Sequence, residues 1–415
     1  MKPSKVYIIV CVSLSTVSGL RAISLVDAHE GQSVWVINRN IGNVLDEISP
    51  YEPTALSNAD AVGSVITISS SGIYRLSEEL TNRVQINVDK VDLDLNGYGI
   101  SLSAAASLGL TIQSDRKKIV VRNGYVENSA ASPTGDGIYA VSASGDTISD
   151  VYLNNVNVFG FDMGINFEAQ SGGFVKNCHV TDCNCADTNN AGFQANGSGV
   201  ECFSFTNCVA FNNGHGFILT GFSNNVINNC VVSNSSGYGF IFQSTSENNV
   251  LNNCVVSDSV NHGFYFFGSS GYNVLNSCVA SNVADRGFSF EANNNEVREC
   301  IASNCGTDGF YFSSATGNFL YECTASNCGT DGFYFSATAI GNLFDECTAS
   351  NNVVYGFNFF SSAAQNFLDE CTARDNTTGN YTGLPGNNAF RCRDVSGATV
   401  SWQDTAGTGG WIARG

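Results

Sequence analysis

Apolar positions in the second half of the chain recur on a fixed plan. Each unit carries a Gly-Phe-x-apolar block, as in Gly216-Phe217-Ile218-Leu219, Gly263-Phe264-Tyr265-Phe266 and Gly332-Phe333-Tyr334-Phe335, with apolar residues at i and i+2. That alternation is the period of a strand with one buried face. A second inward pair is a Cys and the residue two after it, as in Cys254/Val256 and Cys323/Ala325. A third apolar position falls three residues before the Cys. Three short strands within 22–24 residues leave no room for a helix.

The cysteines mark the period. Cys208, Cys230, Cys254, Cys278, Cys300, Cys323, Cys347, Cys371 and Cys392 follow at intervals of 22, 24, 24, 22, 23, 24, 24 and 21, with Cys178 a longer 30 before them. Five residues before seven successive cysteines stands an asparagine: Asn225, Asn249, Asn273, Asn295, Asn318, Asn342 and Asn366. No unit can close a core alone. Stacked in parallel at about 4.8 Å per turn, the units set Phe on Phe, Cys on Cys and Asn on Asn, so side-chain amides bond along the stack. The pattern predicts an all-β parallel β-helix.

Earlier coils are less regular. Strands are predicted at 84–88, 91–95, 108–112, 119–122, 136–141, 151–158, 164–168 and 174–180, which brings the solenoid to about thirteen rungs. Val34, Ile37, Ile41, Val44, Leu45 and Ile48 fall at helical spacing, so residues 31–48 are expected to form an amphipathic cap over the open first rung. Lys2 and Lys5 before an apolar stretch over 6–17, then Leu20-Arg21-Ala22, read as an export signal. The expected organisation is therefore a signal peptide at 1–22, an N-terminal segment with the helical cap at 23–63, the β-helix at 64–395 and a C-terminal cap at 396–415. No apolar run reaches the ~18 residues of a membrane span.

Composition narrows the partners. Only 13% of the 415 residues are charged, Gly numbers 43, Asn 49 and Phe 28, which suits many short strands and tight turns. The net charge of −19 excludes nucleic acid, which requires a basic footprint. Residues 177–415 hold 19 Asp+Glu against 6 Arg and no Lys. That half would repel an acidic polymer and favours neutral glycans or calcium-dependent contact. Sixteen Cys in an exported chain would ordinarily imply disulfides, but stacked residues point the same way, so the ladder is expected to hold buried free thiols. Cys183, Cys185 and Cys202, in the irregular turn, are the ones expected to pair.

The run Asn-Asn-Val-Leu-Asn-Asn-Cys-Val-Val-Ser-Asp at 248–258 and its repeats resemble the right-handed parallel β-helix repeats of the pectin-lyase-like superfamily. Residues 84–101, VQINVDKVDLDLNGYGIS, resemble the opening coil of proteins with a NosD-like β-helix domain. The resemblance spans about 64–395 and implies a right-handed helix. It leaves function open, since that superfamily contains lyases, glycosidases, epimerases, adhesins and non-catalytic scaffolds. Of the Asn-Thr-Asp, Asp-Asp, Gly-His-Gly and Arg-Ile-Lys motifs of its polygalacturonase-type glycosidases, only Gly214-His215-Gly216 is present. His215 stands at the variable position before the repeated Gly, so the repeat explains it. The Trp-Ile-Asp-His and Arg-x-Pro-x-x-Arg patterns of pectate lyases are absent, as is any Met/His cluster suited to copper.

Two stripes carry candidate chemistry. Between the inward apolars of the Gly-Phe blocks stand Ile218, Ile241, Tyr265, Ser289, Tyr311, Tyr334 and Asn358, expected to point outward, with Asp308 and Asp331 beside them. Tyr265, Tyr311 and Tyr334 with Asp308 and Asp331 form a sugar-stacking track. The two Asp, one rung apart, are the catalytic candidates, near the separation of a retaining carboxylate pair. Residues 302–313 and 325–336 are identical, however, so both pairs also fit a copied rung. The second stripe is acidic: Glu299, Glu322, Glu346 and Glu370 precede successive Cys, with Asp345 and Asp369 beside the last two. Carboxylates ~5 Å apart repel, so the row must splay, protonate or bind cations; calcium bridging by Glu322, Asp345, Glu346, Asp369 and Glu370 is the metal reading. No other cofactor is called for. The sequence is read as an exported, non-catalytic surface or extracellular β-helix that binds polysaccharide or another surface. The alternatives are a polysaccharide lyase or glycosidase, and an adhesive protein that recognises protein.

Overall fold

The computed structural model describes residues 52–105, 107–360, 363, 365–382 and 390–394. The expected export signal, the helical cap at 31–48 and the C-terminal cap at 396–415 lie outside the described residues. Forty short strands, paired in parallel, wind a solenoid, and the one helical element among the described residues is the 3-10 turn Asn58–Asp60. One sheet takes a single strand from every turn, fourteen in all. The other, of 26 strands, carries two ladders side by side. Fourteen turns are one more than the sequence reading, because Val65–Ile68 and Gly72–Leu76 complete a turn without the Gly-Phe and Asn-Cys landmarks.

Register follows the repeat. Phe240 pairs with Phe264, which pairs with Phe288, then Phe310, Phe333 and Phe357. Rings one rung apart must stack, and Phe217, Phe240, Phe264, Phe288, Phe310, Phe333 and Phe357 form one column with centroids 4.5–5.1 Å apart. Phe242 to Phe359 form a second. All are fully buried or nearly so. The Gly before each Phe is required by close packing. A Cβ on Gly239 would meet the Gly263 carbonyl oxygen at 2.5 Å and Val256 at 2.5 Å. Three-residue strands end at left-handed corners: Asn253 and Asp258 flank the strand after Cys254 with φ 53° and 55°. Asn tolerates that region best after Gly, which explains much of the Asn count.

The asparagine ladder forms as expected. From Asn249 through Asn366 each Oδ1 accepts the backbone N–H and the side-chain Nδ2 of the Asn one rung earlier, and Asn225 Oδ1 accepts the N–H of Phe203. The column is buried, so these bonds satisfy amides that water cannot reach.

The cysteines correct one expectation. All those among the described residues are free, including Cys183, Cys185 and Cys202. Cys183 and Cys185 point into the core, whereas Cys202 occupies an exposed left-handed corner with φ 53°. Cys202 thus lies outside the core that holds Cys183 and Cys185.

Candidate functional site

The outward row of the Phe strands holds Ile218, Ile241, Tyr265, Ser289, Tyr311, Tyr334 and Asn358 in register. Tyr311 and Tyr334 stack face to face, centroids 5.4 Å apart and planes within 5°. They are half-buried rather than exposed. Ser289, fully buried, interrupts the row between Tyr265 and Tyr311. Arg286 fills the gap, its Cζ 3.4 Å from the centre of the Tyr311 ring. On the other side, Tyr265 stacks on Tyr238 at 5.3 Å, and Tyr238 on His215 at 5.5 Å. The aromatic face thus runs from His215 to Tyr334, longer than the three tyrosines foreseen. Tyr238 and His215 occupy the position before the repeated Gly, where periodicity alone gives no sign that they reach Tyr265.

Asp308 and Asp331 lie lower than a surface track requires, 7% and 4% exposed. Asp308 Oδ1 accepts the backbone N–H of Asp331 at 3.2 Å and a hydrogen bond from the Thr330 hydroxyl. Asp331 Oδ1 accepts the N–H of Tyr355 at 2.8 Å, and its Oδ2 accepts from Asn358 Nδ2 at 2.7 Å. Burial raises the proton affinity of both carboxyls. His215 does the same work at the same position of its own unit: its Nδ1 accepts the N–H of Tyr238 at 3.0 Å. The residue before the Gly thus caps an amide of the next rung. Both oxygens of Asp331, and Oδ1 of Asp308, are thus engaged within the solenoid.

A charged group that the sequence reading missed sits beside the gap. His262 Nδ1 lies 3.1 Å from Asp285 Oδ2, out of line for a hydrogen bond. Burial pushes the His262 imidazole down to about 4, so it is neutral at ordinary pH. Its ring meets Tyr265 edge-on at 4.9 Å. Arg286 Nε lies 3.7 Å from Asp308 Oδ2, without a hydrogen-bond partner. Tyr265, raised in proton affinity by burial first and then by Glu291, completes the cluster. His, Asp and Arg come from the variable position of consecutive units, so only the register unites them.

Residues 241–395 match the family described as "Right handed beta helix region", and residues 80–277 match "Periplasmic copper-binding protein (NosD)". The chain folds as a parallel β-helix, and its second half matches the right-handed β-helix family model. Solved β-helix structures agree in fold. The A-module of mannuronan C-5 epimerase AlgE6 from Azotobacter vinelandii is 17% identical, with TM-score 0.53, over 81% of this chain and 92% of that one. Bacteriophage CBA120 tailspike protein 3 is 10% identical, with TM-score 0.50, over 91% of this chain and 65% of that one. An N-terminal fragment of the bacteriophage Phi29 gene product 12 is 10% identical, with TM-score 0.53, over 77% and 66%. At such identity the likeness is one of fold. Comparison with curated proteins gives no match.

On this β-helix the acidic stripe occupies strained corners. Glu299, Glu322, Glu346 and Glu370 have φ of 53°, 51°, 51° and 47°, where earlier rungs place Asn229, Asn253 and Ser277. Their side chains are exposed, and Glu346 is held above the ordinary carboxylate range by desolvation and then by Glu322. Asp345 and Asp369 pair in register on the adjoining strand. Among the described residues, no three His, Cys, Asp or Glu converge to hold a metal ion. Nor is any described helix long and apolar enough to cross a membrane.

Proposed function

We propose that this β-helix is an exported, non-catalytic protein that binds polysaccharide along the face running from His215 to Tyr334. The observation that carries the reading is the stacked pair Tyr311 and Tyr334, with Arg286 lying over Tyr311. Half-buried rings held rigidly by their strands offer apolar area to a sugar ring at little entropic cost. The fold shared with a mannuronan epimerase module and phage tail proteins supports a carbohydrate-related role. The carboxyls that would serve catalysis are instead bonded to the next rung. Co-sedimentation with insoluble polysaccharides tests the reading. Tyr311→Ala with Tyr334→Ala should release the protein from whichever polymer retains the unaltered chain, and retention of the double variant would overturn it.

A second reading is favoured by one observation. Neutral His262, Asp285, Arg286 and Tyr265 adjoin on the same face, a set able to accept a proton and stabilise a developing anion. On that reading the chain is a polysaccharide-degrading enzyme, and His262→Gln would abolish shortening of its polymer without unfolding it.

A further inference from the structure

A groove of about 350 Å³ opens at the corner between the Cys-containing ladder and the Phe strands, on rungs earlier than the tyrosine pair. It is bordered by the turn at 187–190, where Asn189 Nδ2 reaches back to the carbonyl of Pro133. The three-residue turn at 212–214 and residues 234–236 of the next turn line it, with Val260, 56% exposed, on one side. No charged side chain lines it.

The polarity of this notch is fixed by a chain of amides. Asp187 can only accept, so Asn212 must present Nδ2 to it, and does so at 2.6 Å. Asn212 Oδ1 is then turned to the next rung and accepts from Asn234 Nδ2 at 2.9 Å. Asn234 Oδ1 is thus left at the rim of the notch as an acceptor turned away from Asn212. Asn234 is the left-handed corner residue of its rung, φ 56°. The Ser236 hydroxyl, exposed beside it, makes no hydrogen bond within the chain.

An uncharged notch with one apolar wall and an amide oxygen at its rim suits a ligand that donates hydroxyls and lays C–H groups on Val260. We propose that the groove is a binding site for a single neutral pyranose residue, its hydroxyls donating to Asn234 Oδ1 and exchanging hydrogen bonds with Ser236. This site is separate from the tyrosine face and does not depend on it.

Saturation-transfer NMR on the full chain tests the proposal, using methyl α-glucoside, methyl α-mannoside, methyl β-galactoside and N-acetylglucosamine, with glucuronate and ethylammonium as charged controls. At least one neutral sugar should show saturation at millimolar concentration and neither control should. Asn234→Gly keeps the left-handed corner while removing the amide, and Ser236→Trp fills the notch. Each should weaken binding about tenfold or more. Tyr311→Ala with Tyr334→Ala should leave it unchanged. Saturation by none of the sugars, preference for ethylammonium or glucuronate, or equal binding by both groove variants would overturn the site. Loss of polymer binding in the tyrosine variant with no monosaccharide binding would sink the groove alone, and the reverse pattern would sink the tyrosine face alone.

Discussion

Asn273 Oδ1 lies 3.0 Å from the backbone nitrogen of Asn249 and 2.9 Å from its side-chain Nδ2, so one buried oxygen serves two donors of the preceding rung. Asn273 Nδ2 in turn donates to the carbonyls of Ser246 and Ser270 at 3.0 and 2.7 Å. Every side-chain hydrogen-bonding group of this residue is therefore committed. Asn273→Ala leaves several buried groups unpaired and should cost about 2–4 kcal/mol, read from the denaturant midpoint. Asn273→Asp keeps the acceptor but loses the donor and buries a charge, so it should be at least as damaging at neutral pH.

The thiols should divide by exposure. Burial raises the proton affinity of Cys254, Cys323, Cys347 and Cys371, whereas Cys202 lies open to solvent. Alkylation of the native protein followed by peptide mapping should label Cys202 and leave the ladder from Cys208 to Cys371 unlabelled until denaturant is added. A cystine within that ladder would contradict the packing described.

Those two outcomes concern what periodicity made legible. A residue recurring at a fixed interval must stack on its copies, so the Asn, Cys and Phe columns follow from spacing alone. The site is harder because it uses positions where the repeat is silent. Asp308 looked like a surface carboxylate because it stands next to an inward Gly, but its side chain folds back onto the Asp331 amide. Arg286 and Tyr311 lie 25 residues apart in different units and meet only through register and the gap at Ser289. The two phenylalanine columns were plain, whereas Tyr238 joining the aromatic face was not.

The capping role of Asp308 separates isosteric from truncating changes. Asp308→Asn retains an oxygen for the Asp331 N–H and removes a buried charge, so stability should stay within about 1 kcal/mol of the unaltered protein. Asp308→Ala strands the Asp331 N–H and the Thr330 hydroxyl and should cost about 1–3 kcal/mol. Thermal or denaturant unfolding of the pair distinguishes this from an exposed carboxylate, for which both changes would be neutral.

Acid should weaken the fold through its histidines. Burial lowers His179 and His262 from 6.5 to about 4. Between those values the unfolded chain binds protons that the folded chain refuses, so stability is full above about 6.5 and falls as pH drops toward 4. Asp308 and Asp331 are raised and act in the opposite direction, losing their contribution as pH rises through their folded values. Denaturant midpoints measured across this range should slope downward with acid. The His179→Gln, His262→Gln double variant should flatten that slope, and an unchanged slope would show that neither imidazole is buried neutral.

Binding without cleavage is tested most directly by size-exclusion chromatography of residues 23–415 mixed with neutral and acidic polysaccharides, with and without calcium, while polymer mass and protein elution are followed together. The account predicts that the protein co-elutes with at least one polymer whose mass does not change, and that Tyr311→Ala with Tyr334→Ala abolishes the co-elution. A polymer shortened by the protein would contradict it, as would elution of the unaltered chain apart from every polymer.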